Sequence, residues 1–167
     1  MKKFAKSLFL AMMAVCTAMS LAACGDNDDP DDPTQVANYT VEYDVELSQA
    51  YIDFFDVEVS YTDKDGKTVA RPMGAREFQV IESFKGDKLL DSYDLTVKIT
   101  AKKALPAIDA NRSYRFEKEY EIDLEKNGNT VNKDGSESAM SIAGKDLQRY
   151  IGEKSGSNII TGHISAK

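Results

Sequence analysis

The side chain best placed for chemistry is the thiol of Cys24, which closes the tetrapeptide Leu21-Ala22-Ala23-Cys24. Three lysines precede an apolar run at residues 8–21, and two small residues separate that run from the cysteine. Small side chains let the backbone lie extended in a peptidase cleft, and a cysteine at the cleavage site can form a thioether with a diacylglycerol. The pattern predicts a lipoprotein signal peptide over residues 1–23, which is cleaved to leave a lipidated Cys24.

The apolar run at residues 8–21 is also compatible with a transmembrane or buried helix. A membrane-spanning helix needs about 20 apolar residues. This run is shorter, begins close to Met1, and lies between basic residues and an acidic stretch. We therefore interpret it as the apolar part of a signal peptide, and we expect attachment to a membrane through the lipid on Cys24.

The remaining residues do not form a recognisable catalytic motif. His163 is the only histidine, which leaves no histidine-based triad and no multi-histidine metal site, so we interpret it as a surface residue. Ser136, Ser138 and Ser141 precede Lys145 without a Ser-x-x-Lys pattern. The many carboxylates lie on the polar sides of predicted strands, where they favour solubility. We therefore predict that the protein is not an enzyme.

Two short segments resemble parts of calcium-binding loops, namely residues 63–66 and residues 132–135, each of which ends in Asp-Gly. Neither is followed by the remaining ligands of such a loop, so we interpret both as turns. Cys16 leaves with the signal peptide and Cys24 is consumed by the lipid, which leaves no cysteine for a disulfide. We expect neither a metal nor another cofactor.

The segment after the cleavage site predicts a disordered tether over residues 24–36. Residues 25–33 contain five aspartates, two prolines and no apolar residue. Mutually repelling carboxylates and prolines keep such a chain extended and solvated. Removal of residues 1–23 leaves 18 basic and 28 acidic side chains, a formal charge of −10. Such a charge disfavours nucleic acid as a partner.

Cys24 at the end of the signal peptide is followed at once by Gly25 and an acidic run to Asp29. This segment resembles the surface-export signal of Bacteroidetes lipoproteins. The resemblance implies an outer-membrane protein that faces the cell exterior. Residues 57–63 and residues 144–147 are similar in style to small uncharacterised surface lipoproteins of those bacteria. That group brings no known activity with it.

Four segments alternate polar and apolar residues and predict half-buried strands, at residues 38–47, 55–61, 92–101 and 111–125. Their alternation predicts a core built from Tyr39, Val41, Tyr43, Val45, Phe55, Val57, Val59, Tyr61, Tyr93, Leu95, Val97 and Ile99. Lys118 is the one charge on the inward side of the last segment, which suggests a strand end, a bulge or a sheet edge. Weaker patterns predict strands at residues 76–84 and 158–165.

Three connections carry their own signals. Residues 48–52 break the period of two and predict one helical turn capped by Ser48. Residues 126–138 are rich in Gly, Asn and Asp and predict a long mobile loop. Residues 145–151 have helical spacing and predict a short helix that ends at Gly152.

Strands separated by turn signals, with half of each strand polar, predict two packed antiparallel sheets. We expect an all-β fold for residues 37–167, an immunoglobulin-like β-sandwich with one short C-terminal helix. A small β-barrel is the alternative.

A non-catalytic binding or adhesion module for a glycan or a protein is the function that these observations favour. Tyr51 and Tyr150 are candidate ligand-binding residues, because tyrosine rings can stack on sugars and the chain contains no tryptophan. The alternative is a structural or accessory subunit of an outer-membrane or fimbrial assembly that pairs through a free sheet edge.

The tetrapeptide at residues 21–24 gives a direct prediction. Replacing Cys24 with Ala removes the thiol that accepts the lipid, so the variant should accumulate as an unlipidated precursor. Radiolabelled palmitate followed by gel electrophoresis measures this. Normal processing and labelling of the Cys24→Ala chain would show that the anchor lies elsewhere.

Overall fold

A computed structural model describes residues 36–166. Eight strands and two helices occur in this part of the chain, with a single 3-10 turn at Gly86–Lys88. In chain order they are β1 (Asn38–Leu47), α1 (Gln49–Phe54), β2 (Phe55–Thr62), β3 (Thr68–Met73), β4 (Glu77–Lys85), β5 (Ser92–Ala101), β6 (Ser113–Lys126), β7 (Asn129–Ala143), α2 (Gly144–Lys154) and β8 (Asn158–Ser165).

The strands form two four-stranded antiparallel sheets that pack as an open sandwich. The first sheet has the order β4-β1-β6-β7 and the second has the order β3-β2-β5-β8. Every strand pair in both sheets is antiparallel. The structure thus confirms the predicted all-β sandwich, and the β-barrel alternative is wrong because no strand pair joins the two sheets within residues 36–166.

The central strands follow the immunoglobulin order. The order β3-β2-β5-β8 matches the C′-C-F-G order of a variable-type immunoglobulin sheet, and β1 beside β4 corresponds to strands B and E. The difference lies at the edge of the first sheet. There the hairpin β6-β7, which follows β5 in the chain, takes the place of strand A.

The core lies between the sheets and consists of the alternating apolar residues. All of the inward residues predicted from β1, β2 and β5 are buried except Tyr39, which is half-buried. Aromatic rings meet near the end of the sandwich where both helices pack. The Phe116 ring lies 5.0 Å from the Tyr51 ring and 4.9 Å from the Tyr150 ring, measured between centroids.

The predicted loop at residues 126–138 is wrong, because the chain turns within two residues and returns as β7. Asn127 and Gly128 both have positive φ, 50° and 78°. Positive φ at both central residues is the signature of a type I′ hairpin turn, which Asn-Gly favours. The polar residues that suggested a loop belong to a strand whose two faces are both largely exposed, so it shows no apolar alternation. The second calcium-like segment, residues 132–135, therefore lies within β7 and is not a turn.

The first calcium-like segment is a turn, as predicted. Asp63 accepts hydrogen bonds through Oδ1 from the N–H groups of Asp65 and Lys67, at 2.9 and 2.8 Å. These bonds fix the connection between β2 and β3.

Both helices occur where the sequence predicts them, but their ends differ. α1 follows Ser48, which does not cap it with its side chain. Instead Ser48 Oγ accepts from the Glu117 N–H at 3.0 Å, and the Ser48 N–H donates to the Glu117 carbonyl at 2.8 Å. Ser48 thereby extends the pairing of β1 with β6. α2 continues through Gly152 to Lys154, where Gly156 with φ 85° follows.

Two neighbouring tyrosines in the core provide a test of the sandwich. The Tyr43 hydroxyl donates to the Thr62 carbonyl at 2.6 Å, whereas the buried Tyr61 hydroxyl has no partner among the described residues. Their ring centroids lie 5.2 Å apart. A buried polar group without a hydrogen-bond partner lowers the stability of the folded state. Removing one partner of a buried hydrogen bond leaves the other partner unpaired and has the same effect.

We predict that Tyr43→Phe lowers the free energy of unfolding by about 1 to 3 kcal/mol, because it leaves the Thr62 carbonyl without this bond. Tyr61→Phe should be neutral or stabilising, since it removes an unpaired hydroxyl. Urea unfolding of both variants and the parent chain measures the difference. An equal loss in the two variants would contradict this hydrogen-bond assignment.

Candidate functional site

Tyr51 and Tyr150, the predicted ligand-binding residues, both pack on Phe116. Tyr51 is 2% exposed and belongs to the core, where burial and then the nearby Tyr150 raise the pKa of its hydroxyl. It therefore presents no free ring face for a sugar. Tyr150 on α2 is half-buried and keeps part of its surface. Cys24, the predicted site of lipid attachment, lies outside the described residues.

The outer edge of β8 is closed by side chains from the first sheet. Lys118 of β6 donates through Nζ to the carbonyl of Ile159, which is the extra residue of a β-bulge in β8. Asn132 of β7 donates through Nδ2 to the Ser165 carbonyl at 2.6 Å. The His163 N–H donates to Asp134 Oδ2 at 2.9 Å. These contacts satisfy backbone groups that would otherwise be open to strand pairing.

This arrangement corrects the interpretation of Lys118. The lysine is not at a strand end or a sheet edge, because β6 runs unbroken between β1 and β7. The bulge in the β6-β7 hairpin occurs further on, opposite Leu124 and Glu125, where Val131 is the extra residue. Lys118 faces inward because its ammonium reaches a backbone carbonyl of the opposite sheet. Burial lowers its pKa, and the charge of Lys154 lowers it further.

His163 has the surface position that the sequence predicts. Its side chain is 58% exposed, and its Nδ1 lies 2.7 Å from Asp94 Oδ1. Within residues 36–166 no group of three or more His, Cys, Asp or Glu side chains is arranged to hold a metal ion. No helix in the same range is long and apolar enough to cross a membrane.

Two further sheet edges carry features that hinder strand pairing. β3 contains Arg71 and Pro72, and a proline supplies no backbone N–H to a neighbouring strand. β4 has nine residues, with charged side chains at Glu77, Glu82 and Lys85. Charged residues and prolines are the usual means by which natural sheets keep their edges unpaired.

The edge of β7 differs from the others over residues 136–143, which we call the β7 edge. This stretch contains no proline, no lysine and one charged residue, Glu137. It pairs with β6 in continuous register, from Tyr120 opposite Ser136 to Ser113 opposite Ala143. On its other side no strand pairs with it within the described residues. Its side chains are exposed on both faces except at Ile142, and Met140 is 43% exposed.

The outer face of the first sheet beside this edge is strongly acidic. Three carboxylates of β1 lie directly opposite three carboxylates of β6, and we call these six residues the acidic face. The pairs are Glu42 with Asp123, Asp44 with Glu121, and Glu46 with Glu119. Like charges that face each other across strands are destabilising. Lys133 of β7 contacts Glu121 and lies 3.7 Å from Asp123, and Arg76 contacts Glu46 at 3.0 Å.

Partial burial, together with the neighbouring carboxylates, raises the pKa of three of these carboxyls. Burial and then the charge of Glu42 raise the pKa of Asp44 to about 6. Burial and then a hydrogen bond with Glu121 raise the pKa of Asp123 to about 6, although Lys133 opposes the shift. Burial raises the pKa of Glu119, with further increases from Glu137 and Glu46. The face therefore gains protons in mild acid.

The β7 edge and the acidic face together form the candidate functional site. The edge can form backbone hydrogen bonds with an extended chain, and the face supplies negative charge next to it. The edge is hard to recognise in the sequence, because residues 126–138 are rich in Gly, Asn and Asp and so predict a loop. The Asn-Gly dipeptide at residues 127–128, two residues beyond a long alternation, was the signal for a hairpin.

No protein-family model matches the chain, and no curated protein matches it significantly.

The acidic face predicts that the domain is more stable in mild acid than at neutral pH. The folded-state pKa of Asp44 and of Asp123 lies above the ordinary value, so the folded state binds more protons than the unfolded chain between about pH 4 and pH 6. The melting temperature should therefore rise as the pH falls from about 7.5 to about 5. Thermal melts by circular dichroism measure it.

Asp44→Asn tests the source of that dependence, because it removes one charge from the centre of the acidic face. The variant should melt roughly 2 to 4 °C higher than the parent at neutral pH and vary less with pH. Asp56→Asn is the matched control, since Asp56 is exposed on the second sheet opposite Thr100. Equal pH profiles for the parent and Asp44→Asn would contradict the assignment to this face.

Proposed function

We propose that this protein is a non-catalytic binding module that is held at the outer membrane by a lipid on Cys24 and faces the cell exterior. Its ligand is an extended segment of another protein, which adds as a strand to the β7 edge. The anchor rests on the signal and tether at residues 1–36. The mode of binding rests on the one observation that residues 136–143 form a regular, proline-free edge with no neighbouring strand among the described residues.

The contrast with β8 supports this assignment. Lys118, Asn132 and Asp134 direct their side chains at the backbone of β8. Residues 136–143 receive no comparable contact from another element in the described part of the chain. A protein ligand is favoured over a glycan because Tyr51 is buried and Tyr150 is half-buried, so neither offers a fully exposed ring for stacking.

A structural subunit of an envelope assembly is the second candidate function. The same edge supports it, because two copies of the chain can pair through β7 as readily as one copy can pair with a different protein. The two candidates differ in what lies on the edge of the free chain. A binding module leaves it open, whereas a self-assembling subunit covers it.

Selection of displayed peptides against the full chain tests the proposal. We expect selected peptides to slow hydrogen exchange at the backbone amides of residues 136–143. N-methylation of a selected peptide at alternate residues should reduce its affinity by about tenfold or more, because only every second N–H of an added strand faces the sheet. N-methylation at the intervening residues should have little effect.

A pair of proline variants supplies the control on the protein side. Successive N–H groups along β7 point alternately toward β6 and away from it, so of Ser138→Pro and Ala139→Pro one removes an N–H that pairs with β6 and the other removes an N–H that faces outward. The variant that loses the outward-facing N–H should keep a melting temperature close to that of the parent and should not bind the peptide. Protection by peptides at sites other than residues 136–143 would refute the proposal. Protection of these amides in a dimer without peptide, with mass determined by light scattering, would favour the structural subunit instead.

A further inference from the structure

We infer that the β7 edge selects strands that carry lysine or arginine on one face and small or β-branched residues on the other. The inference rests on the proposed function, since it names the chemistry of the segment that adds to that edge. It follows from the two different surfaces that lie on either side of the edge.

On the outer side of the β7 edge, the side chains are small apart from one carboxylate. Glu137 is flanked there by Gly135 and Ala139, which leave its carboxylate uncovered. Glu137 lies directly opposite Glu119 of β6, and neither forms an ion pair with a described residue. A strand added beyond β7 places alternate side chains next to Glu137 on this face.

A cation at that position relieves a repulsion that is already present in the free protein. Glu137 lies opposite Glu119 in the sheet. Burial raises the pKa of Glu119 most, and the charge of Glu137 raises it further, as do those of Glu46 and Glu121. Lys133, the cation that β7 itself provides, contacts Glu121 and approaches Asp123 at the other end of the strand. Positive charge from a ligand therefore complements Glu119 and Glu137, which lack an ion-pair partner among the described residues.

The inner side of the β7 edge has a different character. Ser136, Ser138 and Met140 share the parity that faces the second sheet, and all three are exposed. Ile142 continues this row and is half-buried. The two serines and Met140 can pack against threonine, valine or alanine on an added strand, since cross-strand pairs of these types are favourable. Charged residues on that side would lie over Met140 without a partner.

Three synthetic peptides of about ten residues test the inference with the full chain. The peptides alternate Lys with Thr, Ser with Thr, and Glu with Thr, and fluorescence anisotropy measures their binding. Lysine pairs with Glu137 directly and is attracted at longer range by the carboxylates of the acidic face, so we expect the lysine peptide to bind about tenfold more tightly than the serine peptide at low salt. We expect the glutamate peptide to bind more weakly than either. The advantage of lysine should shrink as NaCl rises from about 0.05 to about 0.5 M.

Two variants locate the charge that is responsible. Glu137→Gln should reduce the preference for the lysine peptide over the serine peptide by at least about twofold and leave binding of the serine peptide unchanged. Glu58→Gln is the control, because Glu58 is exposed on the outer face of the second sheet opposite Lys98. It should change neither affinity.

The outcomes separate this inference from the proposed function. Equal binding of the lysine and serine peptides, with slowed exchange at residues 136–143, would refute the charge preference and retain strand addition. Binding of the lysine peptide without slowed exchange there would show that it sits on the acidic face alone, which refutes both. Binding of none of the peptides refutes the charge preference, and the peptide selection then decides strand addition.

Discussion

The need to satisfy backbone groups at the sheet edges governs how this sandwich is built. Within residues 36–166, eight strands in two open sheets leave four edges, and each edge exposes N–H and C=O groups that attract other strands. The chain closes the edge of β8 with side chains from the opposite sheet, and it places Pro72 in β3. Asn132 and Asp134 can reach β8 only because β7 lies over it. The closure of one edge thus depends on β7, whose own outer edge pairs with no strand in the described part of the chain.

The same hairpin carries an electrostatic cost that the core must offset. The three acidic pairs between β1 and β6 oppose sheet formation, while the inward residues of the same strands, such as Val41, Tyr43 and Ile122, are fully buried. Burial of a large apolar side chain contributes roughly 1.5 to 3 kcal/mol. A repulsive cross-strand pair costs less than about 1 kcal/mol. The core therefore holds the acidic face together, and the face can vary its protonation without loss of the fold.

Alternation in the sequence was enough to predict the strands that face the core on one side. β1, β2 and β5 were predicted almost residue by residue, because each has one buried and one solvated face. β7 was missed, because its inward positions, such as Ser136 and Ser138, face solvent instead of a core and so need not be apolar. Lys118 was misinterpreted for a related reason. Its partner is a backbone carbonyl of β8, and sequence patterns do not encode which strands become spatial neighbours.

Because most side chains of β7 are exposed, the positions proposed for binding differ from those that contribute to stability. Substitutions at exposed positions such as Glu137 or Ala139 remove little buried area, so their effect on unfolding is expected to lie within about 0.5 kcal/mol. Substitutions at Asn132 or Asp134 break bonds to the edge of β8 and should be costlier. A strand that combines both kinds of position can change its ligand preference at residues 136–143 while residues 132–134 preserve the closure of the sandwich. The fold therefore places the residues that we propose for binding where the core depends on them least.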